Sequence, residues 1–585
     1  MINERLNKLK TAMIKHNIDV YYFNTSDYHM SEYVAPYFRT LEYYSGFSGS
    51  LATLLVTLKD TYIFVDGRYH VQAERQCAPH GLKVVKLGTK NAPDPMTFLK
   101  RYFTGKTIGL DGRRTNVRFA KELLKSNIRI KNVDIYSVLI EDRIPLPKNP
   151  IYELSTRYTG ISRKTKLEMV RRVLKGKCHV VNNLESIAYI LNLRGNDVPY
   201  TPVFYSYLVF HGKNVYLFMD GYRIDKHLME RLFDDGVIVR PYDSFYKFLC
   251  NISNSTVIID ENKVNYETYV HINRNNNVLY DKRSLIEDMK SIKNETEQKN
   301  VRLAHIYDGV AMIRFWMWLE NTDKRFITEY DAAQKIDTLR ISYKARDLSF
   351  ASIVAHDENA ALMHYFPYKG KAARLKNRGI LLFDTGGQYP EGTTDVTRTV
   401  ALGNVSPEVK KYFTLVLKSM FNLSEVKFLK GLSGNQLDIL ARKDLWEIGV
   451  DYRCGTGHGV GFNLSVHESP PNIRYGHTDN GSELAEIQPG MVFSDEPGVY
   501  FEGKFGIRCE NLLLCVNDAS NEYGQFLRFE HLTMVPFDLD LIDMNYMDER
   551  TIEALNRYHQ RVYKTLLPYL NDKEAQFLKE KTRLI

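Results

Sequence analysis

The chain has 585 residues, 44% hydrophobic and 25% charged, with a net charge of +9. These are proportions of a soluble globular protein of three or four domains, and they exclude wholesale disorder and fibrous repeats. The positive excess is small for this length and forms no stripe or tail, so the composition argues against a nucleic-acid binder. No run of about 18 apolar residues exists, and the charged, amphipathic start Met1–Lys15 is unlike a targeting segment, so neither a membrane partner nor secretion is expected.

Leu6–His16 carries a helical pattern, and the apolar run Val20–Phe23 predicts the first strand. Leu51–Val56 and Tyr62–Val65 predict two more, with a turn opening at Asp66-Gly67. The proline-rich stretch Arg143–Pro150 reads as a linker. Beyond it the order repeats: Lys164–Leu174 helical, His179–Val181 extended, Leu184–Asn192 helical, then strands at Val215–Phe218 and Val257–Asp260. The repetition hints at two related α/β domains, residues 1–145 and 146–284, before a third at 285–585. That third segment opens with Met289–Glu320, charged and helical throughout. It passes through glycine-rich strand sequence from Phe350 to Leu514 and ends in the helical Glu549–Glu580. The six cysteines are scattered with no CxxC pair, the pattern of reduced thiols in a cytosolic protein.

Five places in the third segment hold residues suited to chemistry. Ile380–Asp384 is a strand ending on a carboxylate, and GTTDVTRT (Gly392–Thr399) reads as an alternating strand centred on Asp395. GTGHGVG sets His458 among glycines, FSDEPGVY sets Glu496 before a Pro-Gly turn, and GIRCEN sets Glu510 in a strand that shares a face with Arg508. Asp384 and Asp395 are spaced for one hairpin, Glu496 and Glu510 for another. Two hairpins would turn four carboxylates toward one face, where they would repel each other and take up protons. Two divalent cations cancel four negative charges, and one imidazole among carboxylates suits Mn²⁺, Fe²⁺, Co²⁺ or Zn²⁺. Taken singly, a strand-end Asp is more often a turn residue, and a lone His more often a satisfied polar group. GTGHGVG also lacks the Lys-Ser/Thr ending of a P-loop and the context of a dinucleotide fold.

Together these stretches resemble the pita-bread metallopeptidases of family M24, and within them the aminopeptidase P (Xaa-Pro aminopeptidase) group. The resemblance is carried by HYFPY at His364, FDTGGQYPEGTTDVTRT, GTGHGVGFNLSVHESP and FSDEPGVYFEGKFGIRCEN. It extends to FNTSDYHMSEYVAP, SGFSGS and VDGRY in the first segment and to LESIAYILNLRGNDVPYTPVFYSYL in the second. It implies an α/β (α+β) chain in which two creatinase-type α/β domains precede a C-terminal pita-bread catalytic domain. It implies metal ligands Asp384, Asp395, His458, Glu496 and Glu510 for two divalent ions, Mn²⁺ being the family's usual one, with Asp395 and Glu510 bridging them. It implies that His364 and His467 bind substrate and shuttle protons, that Glu496 takes a proton from water, and that Tyr500 and Arg508 line or brace the site. Where the family has a further histidine, four residues before His458, this chain has Cys454, read as a small packing residue.

The implied activity is removal of the N-terminal residue from proline-containing peptides (Xaa-Pro-peptide) by attack of a metal-bridging hydroxide. The implied protein is a cytoplasmic homodimer. A prolidase, which prefers dipeptides, is the nearest alternative. A non-enzymatic pita-bread protein that binds peptides is a remote one.

Overall fold

The computed structural model describes residues 1–140, 142–281, 284–477 and 481–585. It separates into two compact units, Met1–Leu154 with Ile161–Ile286, and Ser155–Gly160 with Glu287–Ile585.

In the first unit the repeated order of the sequence becomes two six-stranded sheets of the same topology. Val20–Asn24 pairs antiparallel with Thr53–Thr57 and parallel with Thr107–Leu110. Thr61–Val65, Lys83–Lys86 and Arg129–Asn132 complete that sheet. Cys178–Val181 stands in the same relation to Tyr207–His211 and Thr256–Ile259, with Asn214–Phe218, Val237–Arg240 and Asn277–Tyr280 completing the second. Val20–Asn24 reads as a continuous apolar run because both of its faces are covered. Tyr21 and Phe23 join Leu6, Leu9 and Met13 in one core, and Val20 and Tyr22 join Leu99 and Leu123 in another.

In the second unit the expected single helix Met289–Glu320 is two, Leu285–Ser291 and Glu295–Asn321. Asn294 makes the break. Its side chain accepts from the amides of Thr296 and Glu297, and the Glu297 carboxylate accepts from the Asn294 amide. A residue engaged in such a capping box has left the helical backbone. The long helix then runs through the core: Phe315 packs edge-on to Phe383 at 5.2 Å, and Trp316 packs edge-on to Phe577 at 6.2 Å.

Two sheets of this unit converge on the conspicuous acids. Ile380–Thr385 is the middle of three antiparallel strands, between Ile353–His356 and Val396–Ala401. A six-stranded sheet runs in the order Lys427–Leu429, Gly524–His531, Asn511–Asn521, Val492–Asp495, Gly457–Gly459, Glu468–Ile473.

Both expected hairpins form; Asp384 lies within the strand Ile380–Thr385, but Asp395, Glu496 and Glu510 lie at breaks between strands. Gly392–Thr393 pairs with Gly387–Tyr389, and Val396–Ala401 pairs with Ile380–Thr385 in a different sheet. Asp395 sits where the chain changes partners, so GTTDVTRT is not one alternating strand. Asp495 pairs with Asn511, and Gly498 with Arg508. Glu496 and Glu510 therefore face each other where the hairpin Gly498–Phe501/Phe505–Arg508 leaves the six-stranded sheet.

Trp316 is 1% exposed. Replacing it by Ala removes a fully packed indole and is expected to cost about 3–5 kcal/mol. The cost should appear as a lower urea midpoint followed by circular dichroism; an unchanged midpoint would contradict the packing.

Candidate metal centre

Glycine spacing around His458 is a consequence of crowding. A Cβ on Gly457 would lie 1.9 Å from the Ser494 carbonyl oxygen, and one on Gly459 would lie 2.1 Å from that of Glu468. Only glycine lets the His458 strand settle between its two neighbours. The His458 amide donates to Ser494 Oγ at 3.0 Å, and Ser494 Oγ donates to Glu496 Oε1 at 3.2 Å. His458 Nδ1 is 3.0 Å from the Gly459 carbonyl, which only accepts, so Nδ1 carries the proton and Nε2 keeps a lone pair. That Nε2 stands 3.4 Å from Glu496 Oε1 and 3.6 Å from Asp395 Oδ2.

The structure brings Asp395, His458 and Glu510 together, with one ligand atom of each within 4.8 Å of the others. Glu510 accepts from Thr397 Oγ1 at 2.8 Å, and Thr397 in turn accepts from Arg508 Nε at 3.0 Å. Arg508 Nη2 reaches Asp384 Oδ2 at 2.5 Å, and its Nη1 donates to the Tyr500 hydroxyl at 2.7 Å. Arg508 thus braces Asp384, Tyr500 and, through Thr397, Glu510. The ring of His467 stands edge-on to that of His458, centroids 4.3 Å apart. His364 is half-buried just past the turn Asp357–Ala361. The Ala360 carbonyl of that turn occupies the place a Cβ of Gly506 would take, on the strand that carries Arg508. Cys454 is half-buried at the edge of the main core, its thiol pushed up to about 11 by burial and by Glu496.

The charges do not balance by themselves. Burial, then Glu510, Asp384 and Glu496, push the Asp395 carboxyl well above the carboxylate range, against the pull of Arg508. Burial, then Glu496 and Asp384, do the same to Glu510. Burial and Asp384 raise Glu496 to about 7, although Arg508 opposes them. Asp384 Oδ1 is buried without a hydrogen-bond partner among the described residues. An orphaned buried oxygen in a nest of repelling acids fits cations. So does the spacing: at bond lengths of about 2.0–2.2 Å, neighbouring ligand atoms stand about 3–3.6 Å apart. Carboxylates and one imidazole suit hard or borderline divalent ions.

Some contributors were not singled out in the sequence. Asp495 is fully buried beside Glu496, with neither oxygen hydrogen-bonded among the described residues. Burial, Glu510 and Glu496 raise it too. Glu468, next to His467, is buried with two lysines, Lys290 at 3.0 Å and Lys293 at 2.7 Å. Burial pushes its carboxyl up, yet the two ammonium groups hold it below its ordinary value. Ser494 and Thr397 were legible as close neighbours of Glu496 and Asp395. The lysine clamp was not, because 175 residues separate Lys293 from Glu468. Arg398 is buried and donates to the backbone carbonyls of Glu510, Val535 and Pro536, to Asn511 Oδ1 and to the Tyr558 hydroxyl. It ties the C-terminal region to the strand end that presents Glu510.

Acids gathered at the ends of two sheets beside a glycine-flanked histidine define a metallopeptidase site, and comparison with known proteins agrees. Residues 299–517 match the model of metallopeptidase family M24, and residues 525–585 match the C-terminal region of that peptidase. Residues 5–144 and 142–297 each match a creatinase/prolidase N-terminal domain. The chain belongs to metallopeptidase family M24, with two creatinase-type α/β domains ahead of a pita-bread domain, as the resemblance implied. A probable Xaa-Pro aminopeptidase P from Botryotinia fuckeliana is 36% identical, covering 96% of this chain and 89% of that one. The X-prolyl aminopeptidase of Caenorhabditis elegans, described as a cytosolic enzyme with a di-nuclear active site, superposes with a TM-score of 0.94. It is 32% identical over the whole of both chains. A prolidase from Thermococcus sibiricus shares the fold at a TM-score of 0.51 and 22% identity, covering 64% of this chain and 98% of its own.

An acid whose folded value is raised makes the native state bind more protons than the unfolded one, so its presence costs stability as pH rises through that window. For Glu496 the window runs from its ordinary 4.5 to about 7. The gain in Tm on loading metal-stripped protein with a divalent cation should therefore grow across that window, with protons released on binding. A gain that does not change with pH would contradict the charge analysis. In the stripped protein, Asp395→Asn should raise Tm by relieving repulsion.

Proposed function

We propose that this protein is a metal-dependent exopeptidase that removes the N-terminal residue from peptides with proline in second place. The observation that carries this reading is the grouping of Asp395, His458 and Glu510 at the junction of two sheets, with Glu496 3.4 Å from His458, in a chain similar over 96% of its length to a probable Xaa-Pro aminopeptidase P. Asp384, Asp395, His458, Glu496 and Glu510 would hold two divalent cations. Bound cations supply charge neutralisation, polarisation of the scissile carbonyl and activation of the attacking water.

The chain's own groups do the rest. Glu496 accepts the proton of the attacking water. The prolyl nitrogen carries no hydrogen and leaves only once protonated. His467, edge-on to His458, and His364 are the groups assigned to give it that proton. Tyr500, held by Arg508, and His364 form the walls proposed for the proline ring. Arg508 keeps Asp384 oriented, so its exchange for lysine would lose the forked geometry as well as the reach.

The reading includes Mn²⁺ as the ion, supported by the oxygen-rich donor set, and a cytoplasmic homodimer, supported by resemblance alone. It takes the domains as 1–145, 146–284 and 285–585. The extents of the two like sheets, Val20–Asn132 and Cys178–Tyr280, support that division. Similarity along the whole chain favours an aminopeptidase over a prolidase, and the filled ligand positions favour an enzyme over a peptide-binding relative.

The test compares Xaa-Pro-Xaa peptides, their N-acetylated copies and Xaa-Pro dipeptides, using metal-stripped protein with each cation added back. The free-amine tripeptides should be cleaved after the first residue and the acetylated copies spared. Equal cleavage of both, or cleavage of dipeptides alone, would overturn the reading. Asp395→Asn should lower turnover by more than the roughly 10–100-fold typical of a residue that only supports a ligand.

A further inference from the structure

The first unit holds a second chemical grouping, remote in sequence from the metallopeptidase residues. Cys250, exposed, follows the helix Phe245–Leu249. Its Sγ lies 3.1 Å from His271 Nδ1, and His271 Nε2 lies 3.0 Å from Glu267 Oε1. Asn132 Nδ2 donates to the other oxygen of Glu267, and the Gly112 amide donates to Asn132 Oδ1 at 2.7 Å. The Tyr246 ring, whose hydroxyl accepts from Asn265, lies 5.3 Å from the imidazole.

We propose that Cys250 is a reactive thiol, activated by the Cys250–His271–Glu267 relay, that exchanges with low-molecular-weight disulfides. A carboxylate only accepts, so the His271 proton resides on Nε2 and the Nδ1 lone pair faces the thiol. A nucleophile, a base and a third group that orients the base form the arrangement that activates a thiol for attack. The orienting group is itself held, since Asn132 fixes the second oxygen of Glu267.

The relay is assigned to sulfur chemistry and not to acyl transfer. The Cys250 and Asn251 amides are already bonded to the carbonyls of Tyr246 and Phe248, so neither stands ready for an oxyanion. The other cysteines are poorly placed to compete. Burial pushes the thiols of Cys77, Cys178, Cys509 and Cys515 up to about 12, and burial with Glu496 pushes that of Cys454 up to about 11. In the exchange, Cys250 gives its proton to His271 as sulfur attacks one sulfur of the disulfide. The S–S bond breaks, a mixed disulfide forms on Cys250, and the departing thiolate takes the proton from the imidazolium. One thiol and one disulfide yield one thiol and one mixed disulfide.

The full-length protein is treated with 5,5′-dithiobis(2-nitrobenzoate), and the released chromophore is followed in time. One thiol per chain should react in a fast phase, and peptide mass mapping should place it on Cys250. His271→Gln should slow that phase by at least about 10-fold, and Glu267→Gln should slow it less. Cys250→Ser should abolish the phase with circular dichroism and peptide hydrolysis unchanged. A fast phase that maps to another cysteine, or that keeps its rate in His271→Gln protein of native circular dichroism, would overturn the proposal.

Discussion

The second unit depends on repulsion among buried carboxylates. Asp384, Asp395, Glu496 and Glu510 are gathered where two sheets end, and for Asp395, Glu496 and Glu510 burial adds its own penalty to the mutual charge. Arg508 offsets part of this by touching Asp384 directly and Glu510 through Thr397. One guanidinium does not neutralise four acids. The remaining charge is what gives such a site its appetite for divalent cations, and the surrounding sheets keep the acids from relaxing apart.

Rigidity comes from interlocked strands. His458 is set by glycines that admit the carbonyls of Ser494 and Glu468. The same Ser494 turns its hydroxyl to both the His458 amide and Glu496. Residues from separate strands thus share one set of hydrogen bonds. On the far side, Glu468 and its two lysines anchor the residue after His467 to the segment that enters the long helix. His458, Glu496 and the segment that carries His467 are held by a common framework.

Much of this was legible in the sequence, for stated reasons. Central strands such as Val20–Asn24 betrayed themselves as apolar runs because they are covered on both faces. The clustering of these acids was legible because carboxylates beside glycines and a histidine are unusual in strand-rich sequence, and because both hairpins form at the spacings expected. The strand breaks at Asp395 and Glu510 were not legible. They exist because the chain changes sheets there, and a change of partner is a long-range event that local alternation does not record. The break in the helix near residue 294 carried a local signal, Asn294 followed three residues later by Glu297, which the continuous charged pattern obscured. The grouping of Cys250 with His271 and Glu267 depends on tertiary placement, since Cys250 and His271 are 21 residues apart.

Arg398 gives the end of the chain a part in the centre it never enters. Its guanidinium is caged by neutral oxygens, several from the segment Val535–Pro536 and the helix Glu549–Leu566. One of its bonds holds the backbone of Glu510 itself. The segment Val535–Pro536 and the helix Glu549–Leu566 therefore act as a keystone pressed against the back of the acid nest. Trimming that helix would loosen Glu510 from behind while leaving His458 and the other acids chemically intact.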